Sequence, residues 1–376
     1  MTLDGPRAPR REELDPLLDL LCDIWPHFTT RYTQQELHSF IRRRVHRRDT
    51  RIIAEEGRVV SNIQMMYNYV SVYGCRLKVA GIGCVCTRED RRKRGLAGAI
   101  LEQCLEEMTA RGARLLYVSG DRSLYRRNHC VNVGGFFEVG LSRESLGPVR
   151  SSPAARCVSA EDWPAVAPLH QAEPVRFVRR ADFLSRTCFW WDELNPETWL
   201  IEQKDHPLAY LVLTPPWGAD PGDTTRTVLE YGGARAALLD ALPSICEARG
   251  ISRVDFSVPA RDRDLLQPLR ARGAALKPAV LASHTVRMLN LPGLMRDLRP
   301  HLAALLPGPD LRRLSFDQQG TTCLLRCGDE KVQLDLGQAA QAVFGGPKAP
   351  VIRGDLGRVL SQVFPVPIPH PGLNRI

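Results

Sequence analysis

The sequence predicts an α+β or mixed-sheet protein of more than one domain, on three observations. Segments with the two-residue period of strands alternate with segments of helical period along the chain. At 376 residues the chain exceeds what one ordinary core holds. Pro, Gly and Ser gather in LGPVRSSPAAR (146–156), where periodicity fails, and the composition changes again after about residue 286.

Each element follows from its local pattern. Residues 12–25 (EELDPLLDLLCDIW) carry apolar side chains at helical spacing, and 33–48 (TQQELHSFIRRRVHRR) open on a Thr cap, so two helices lead. Residues 51–54 and 59–72 read as strands around Glu56-Gly57, and Tyr73-Gly74 turns the chain into a third strand, 78–87. From Gly95 to Arg111, Leu96, Ile100, Leu101, Leu105 and Met108 share one helical face. LLYVS (115–119) is a short buried strand, 121–127 a short helix or turn, and GGFFEVGLSRESL a final hairpin arm. A second domain offers a helix near 160–171, a strand at 208–213, a helix at 234–249 and a strand at 252–257. Beyond residue 286 come a helical LMRDLRPHLAALL, two or three strands in LSFDQQGTTCLLRCGDEKVQLDL, and a helical AAQAVFG. The tail FPVPIPHPGLNRI is too rich in proline for regular structure and must hang free or dock as an extended arm.

Composition narrows the function classes. With 44% hydrophobic and 25% charged residues the chain has the make-up of a globular domain protein. No stretch approaches the ~20 apolar residues that span a bilayer, and MTLDGPRAPRREELD lacks a signal-peptide layout, so a cytoplasmic location is expected. Eleven scattered cysteines suit reduced thiols better than a disulfide framework. Neither Cys84/Cys86 nor Cys323/Cys327 has a complementary pair at metal-ligand spacing, so no metal is expected. The net charge is +9, and residues 1–150 hold 25 Lys or Arg against 18 Asp or Glu. That excess suits nucleic acid, an acidic surface or a phosphorylated small molecule.

The sharpest feature is TREDRRKRGLAGAILEQ (87–103), where Arg91, Arg92, Lys93 and Arg94 precede Gly95, Ala97 and Gly98 at the start of a helix that follows a strand. A helix start with bare amides is an anion site, and small residues let a phosphate come close. The flanking cations add charge-assisted bonds. The glycine spacing is not G-x-G-x-x-G, and Gly-Lys-Ser/Thr is missing, which excludes Rossmann and Walker readings. Arg92-x-x-Gly95-x-Ala97, followed by LLYVS and Leu124-Tyr125-Arg126-Arg127, resembles the GNAT superfamily of acetyl-CoA-dependent N-acetyltransferases, whose pyrophosphate loop reads (Arg/Gln)-x-x-Gly-x-(Gly/Ala).

The resemblance implies a splayed sheet. In it Val85, Cys86 and Thr87 pair with the pantetheine arm, and Arg92, Lys93, Arg94, Gly95, Leu96, Ala97 and Gly98 hold the diphosphate. It also puts Tyr125 at the position of the general acid that protonates the leaving thiolate. Over the whole chain the pattern is similar to the Eis-like acetyltransferases. These would give a catalytic GNAT domain at 1–148, a degenerate GNAT-like domain at 149–286 and a sterol-carrier-like α/β domain at 287–376. The terminal carboxylate of Ile376 would then act as base, acetyl-CoA would be the co-substrate, and the acceptor would be a primary amine of a small molecule, an aminoglycoside or a lysine. The family likeness implies a homo-oligomer as well. In the second domain Glu230-Tyr231-Gly232-Gly233 lies near the corresponding turn without the phosphate motif, so no coenzyme is expected there. One departure stands out: Asn128-His129-Cys130 puts His129 where the family has Gly, so either the turn is rebuilt or an imidazole enters the site. Glu89 and Asp90 read as the solvated rim of the loop.

Two other functions compete. The runs FIRRRVHRRDTR and RRKR would suit nucleic acid, but no helix-turn-helix, zinc finger or stacking aromatics accompany them, so neither nucleic acid nor membrane is expected as a partner. A decayed acetyltransferase serving as a ligand or lipid carrier is the other, and the intact phosphate motif weighs against it.

Overall fold

The computed structural model describes residues 2–24, 47–149, 153–179, 196–216, 220, 222–281 and 284–374. The helix expected over 33–48 therefore lies almost wholly outside the described residues, as does Ile376. Among the described residues the fold is mixed α/β, with two seven-stranded mixed sheets and one of three strands.

Chain order begins with β1 (Leu3–Arg7), α1 (Leu14–Ile24), β2 (Thr50–Glu55), β3 (Arg58–Val72) and β4 (Cys75–Thr87). Then come α2 (Leu96–Ala110), β5 (Leu115–Ser119), α3 (Ser123–Arg127) and β6 (Phe136–Ser142). The middle of the chain supplies β7 (Ala154–Cys157), α4 (Trp163–Ala172), β8 (Val175–Phe177), β9 (Glu197–Gln203), β10 (His206–Thr214) and β11 (Thr225–Gly233). It continues with α5 (Arg235–Arg249), β12 (Arg253–Pro259), α6 (Arg263–Ala271), β13 (Lys277–Ala279) and β14 (His284–Met288). The last part holds α7 (Leu291–Asp297), α8 (Arg299–Leu305), α9 (Gly308–Arg313), β15 (Leu314–Gln319), β16 (Thr322–Cys327), β17 (Glu330–Asp335), α10 (Leu336–Phe344) and α11 (Gly354–Leu360).

The first sheet runs β1-β2-β3-β4-β5-β14 with β8 on β3, and the second runs β13-β6-β12-β11-β10-β9-β7. The hairpin arm expected to finish the first sheet does not join it. β6 leaves for the second sheet, pairing β12 along its whole length, while β14 comes back to cover β5 from His284↔Ser119 to Met288↔Leu115. Both strands carry alternating apolar residues, so either sheet could bury them, and the exchange interlocks the two sheets covalently.

Helices cover the sheets where their apolar stripes demand. Leu96, Ile100, Leu101 and Met108 of α2 pack with Ile63, Ala80 and Leu116 on one face of the first sheet. Its other face, with Val70, Tyr117 and Val286, is closed by Leu294, Leu325, Phe344 and Val366 from the C-terminal part. In the second sheet α5 and α6 cover one face and α4 the other. Each such leucine or phenylalanine taken out of water contributes roughly 1.5–3 kcal/mol. The proline-rich tail is docked rather than free as far as the described residues go. Val366, Ile368 and Leu373 are buried, and a one-turn 3₁₀ helix spans Gly372–Asn374.

Candidate active site

The site begins with a fault in β4. Asn62 pairs Cys86, but Gln64 pairs Gly83, so Cys84 and Val85 together oppose Ile63 in a β-bulge. Cys84 takes a positive φ of 51°. Side chains from β3 pin the distortion: Asn62 Nδ2 donates to the Cys84 carbonyl at 2.8 Å, and Ser61 Oγ donates to the Cys86 carbonyl at 3.0 Å. On its other side β4 runs parallel to β5 only over Val79–Gly81 against Leu115–Tyr117. Past Gly81 the strands part, and the edge of β4 from Ile82 to Thr87 faces the gap. Such an edge offers amides and carbonyls to an extended ligand. Burial pushes the Cys86 thiol far up, so its role is backbone and packing and not nucleophilic attack.

The loop after β4 leads into the start of α2. A 3₁₀ turn at Glu89–Arg91 is followed by extended Arg92, Lys93 at φ 64° and Gly95 at φ 79°. Gly95 is the N-cap; it lends no side-chain oxygen, and the first turn holds no acid. The first helical bond runs from Ala99 N to Gly95 O at 3.0 Å, so the amides of Leu96, Ala97 and Gly98 have no acceptor within the helix. A Cβ at Gly95 or Gly98 would meet nothing within 4 Å, so the approach is open.

The four cations divide into pairs. Glu55, 4% exposed at the end of β2, accepts from Arg91 Nε and, at 3.1 Å, from Arg94 Nη1. The Arg91 hydrogen bond holds the Glu55 carboxyl below its usual range. Arg92 is exposed and only loosely opposite Glu89, at 3.8 Å, and exposed Lys93 makes no ion pair among the described residues. Arg91 and Arg94 thus shape the loop, while Arg92 and Lys93 stay exposed at its rim.

Tyr125 on α3 is buried at 5% exposure in the cluster that joins Ile82 of β4, Val118 of β5 and Leu96 and Ile100 of α2, with Val85 packed against it. Burial raises its phenol pKa, an effect that the charge of Arg122 opposes, so it keeps its proton at neutral pH. The geometry thus gathers Tyr125, Val85 and Leu96 around one cluster. His129 belongs to the turn and explains the departure noted above. Cys130 N bonds Tyr125 O at 3.0 Å and His129 N bonds Arg126 O at 3.2 Å, a Schellman ending with His129 at φ 58° where glycine is favoured. The tail runs toward the second sheet: Leu373 N donates to Glu230 Oε2 at 3.1 Å and Asn374 Oδ1 accepts from Arg179 Nε.

The second sheet repeats the opening. β11 is parallel to β12 only over Thr225–Thr227, and Leu229 bulges between the pairs Val212↔Glu230 and Leu213↔Val228. Here, however, only Ala234 separates β11 from α5, and Glu173 fills the turn. Glu173 accepts from Gly233 N at 2.9 Å and from Arg235 at 2.8 and 2.7 Å. Glu55 and Glu173 are the carboxylates at the two junctions that sequence reasoning missed, and nothing in the residues beside them marks either one.

Residues 6–129 match the family described as the acetyltransferase (GNAT) domain. That stretch holds the bulged strand, the loop and Tyr125. The whole chain is similar in fold to a GCN5-related N-acetyltransferase from Kribbella flavida, with TM-score 0.65 and 16% identity over 98% of each chain. It is also similar to a GCN5-related N-acetyltransferase from Anabaena variabilis, with TM-score 0.63 and 15% identity over 100% of this chain and 95% of that one. Eis1 from Mycobacterium abscessus aligns at TM-score 0.61 and 12% identity over 98% of this chain and 99% of its own. No curated protein matches the sequence. Among the described residues no helix is long and apolar enough to cross a membrane.

Proposed function

We propose that the protein is an N-acetyltransferase of the Eis-like kind, moving an acetyl group from acetyl-CoA to a primary amine by direct transfer. The observation that carries this reading is the junction of β4 and α2: an unpaired strand edge leading to uncapped amides, with Arg92 and Lys93 uncommitted beside them. The match of residues 6–129 to the GNAT domain supports it. In this reading the domains are 1–148, 149–286 and a sterol-carrier-like 287–376, and the chain self-associates.

Acetyl-CoA fits the residues present, and it supplies an acetyl group already activated as a thioester. The backbone of Val85, Cys86 and Thr87 holds the pantetheine arm as an added strand. The amides of Leu96, Ala97 and Gly98 take the diphosphate, with Arg92 and Lys93 adding charge and Arg94 steadying the loop through Glu55. Tyr125 carries the proton for the departing sulfur. A phenol with a raised pKa is protonated before the reaction and donates only as negative charge develops beside it. The terminal carboxylate of Ile376, with an intrinsic pKa near ~3.5, receives the amine's proton through water or holds a cationic acceptor in place.

The test is acetyl-CoA consumption over a library of primary amines with the wild type, Tyr125→Phe and a chain lacking Ile376. We expect turnover of at least one amine, with kcat about 100-fold lower in Tyr125→Phe and KM for acetyl-CoA little changed. No turnover together with no thermal shift by acetyl-CoA overturns the reading.

A further inference from the structure

The opening in the second sheet holds a cavity none of whose walls comes from residues 82–130. Its floor is β11 and β12, and β8 and the docked tail at His370 and Gly372 close its sides. Three carboxylates and four guanidinium groups face it: Glu173, Glu230 and Asp262 against Arg176, Arg179, Arg235 and Arg261.

The carboxylates are all satisfied. Arg179 clamps Glu230 at 2.5 and 2.6 Å, and the Tyr210 hydroxyl donates to the same group at 2.9 Å. Arg235 bridges Glu173 and, at 2.9 Å, Asp262, which also accepts from the Tyr231 hydroxyl at 3.0 Å. Arg176 donates to the Glu173 backbone carbonyl at 2.7 Å.

Arg261 is different. It is half-buried, and its side chain makes no hydrogen bond or ion pair among the described residues. Burial lowers its pKa, an effect that the nearby Tyr73, Tyr231, Asp262 and Glu173 only partly oppose. In the same wall the Ser257 hydroxyl is buried with no partner. Val175, Phe177, Val228 and Pro259 supply apolar surface beside these two donors.

We propose that this cavity is a binding site for a small monocarboxylate with an apolar body, its charge taken up by Arg261 and an oxygen by Ser257. The sign and number of charges select this class. The net excess of one positive charge, four guanidinium groups against three carboxylates, suits one negative charge better than a phosphate dianion. An amine would enter a wall whose balance is already positive, so the cavity is not the place for the acceptor of the transfer reaction. The second sheet would thus have kept its opening as a ligand site after Glu173 closed it to diphosphates.

The probe is benzoate, against benzamide as the neutral isostere and benzylamine as the cation, titrated into the full chain by calorimetry and thermal shift. We expect one benzoate per chain and a rising midpoint, with neither response for the other two. Arg261→Gln should weaken benzoate about tenfold or more, with the ligand-free midpoint unchanged or higher, and Ser257→Ala should weaken it about threefold. Coenzyme A binding should be unchanged in both variants, which keeps this site independent of the transferase reading. Should Arg261→Gln fail to fold, Arg261→Lys, which keeps the charge and loses the fork, should still weaken benzoate several-fold. Equal responses to benzoate and benzamide, no response to benzoate, or a benzoate affinity unmoved by the Arg261 variants would overturn the proposal.

Discussion

In the first sheet β4 parts from β5 at Gly81 and reaches α2 through residues 88–95; in the second, β11 parts from β12 at Thr227 and reaches α5 through Ala234 alone. Both strands bulge just past the residue where they part from their neighbour. The backbone opening is therefore common to the two sheets, and what differs is the source of the anion at the helix start. The first junction keeps its acid, Glu55, behind the loop, where it orients Arg91 and Arg94 and leaves the amides open. The second brings Glu173 onto the turn itself, where it takes the Gly233 amide and the Arg235 guanidinium. An open junction and a plugged one are thus separated by where one carboxylate stands.

The plug can be broken. Glu230→Ala removes the carboxylate that clamps buried Arg179 and unties Leu373, and should cost about 3–5 kcal/mol in chemical denaturation. Glu173→Ala removes the anion from the second turn. We expect a loss of about 2–3 kcal/mol, partly restored by sulfate in the variant but not in the wild type, because sulfate can take the vacated amide and guanidinium. Equal effects of sulfate on both would show that Glu173 is not standing in for an oxyanion.

Acid should loosen the tail beside the second opening. Burial, with His284 nearby, lowers the His370 imidazole from its ordinary 6.5 to about 4, although Glu230 pulls the other way. Between those values the unfolded chain takes up a proton that the docked tail refuses, so stability falls as the pH drops through 6.5 toward 4. From pH 7 to 5 the loss is about 2 kcal/mol. Replacing the imidazole in His370→Gln should flatten that part of the stability-against-pH curve.

The smallest effect belongs to the first sheet. His129 sits at φ 58° at the C′ position of α3, where glycine avoids a strain of about 1 kcal/mol. His129→Gly should raise the melting temperature and leave turnover intact; a large loss of turnover would instead make the imidazole part of the chemistry.

What could be read from sequence was local. The helix Leu96–Ala110 and the strand Leu115–Ser119 were legible because a 3.6-residue stripe and a short apolar run each identify themselves. Arg92, Gly95 and Ala97 were legible for the same reason, since a helix start is made by consecutive residues. The exchange of β6 and β14 was not, because FFEVGLS and HTVRM would fit either sheet and only the tertiary fold chooses. Glu55 and Glu173 were equally hidden: their partners lie far along the chain, and Glu55 cannot be told from its neighbour Glu56 until β2 is laid beside the loop.

The most direct measurement is a calorimetric titration of coenzyme A into the wild type, the double variant Arg92→Glu/Lys93→Glu and Arg235→Gln. One site per chain is expected, lost in the double variant and kept in Arg235→Gln, because at the first junction Arg92 and Lys93 stand uncommitted beside the open amides, whereas Glu173 already occupies the second turn. Two sites per chain, or binding that survives in the double variant, would contradict the assignment of the diphosphate to the start of α2.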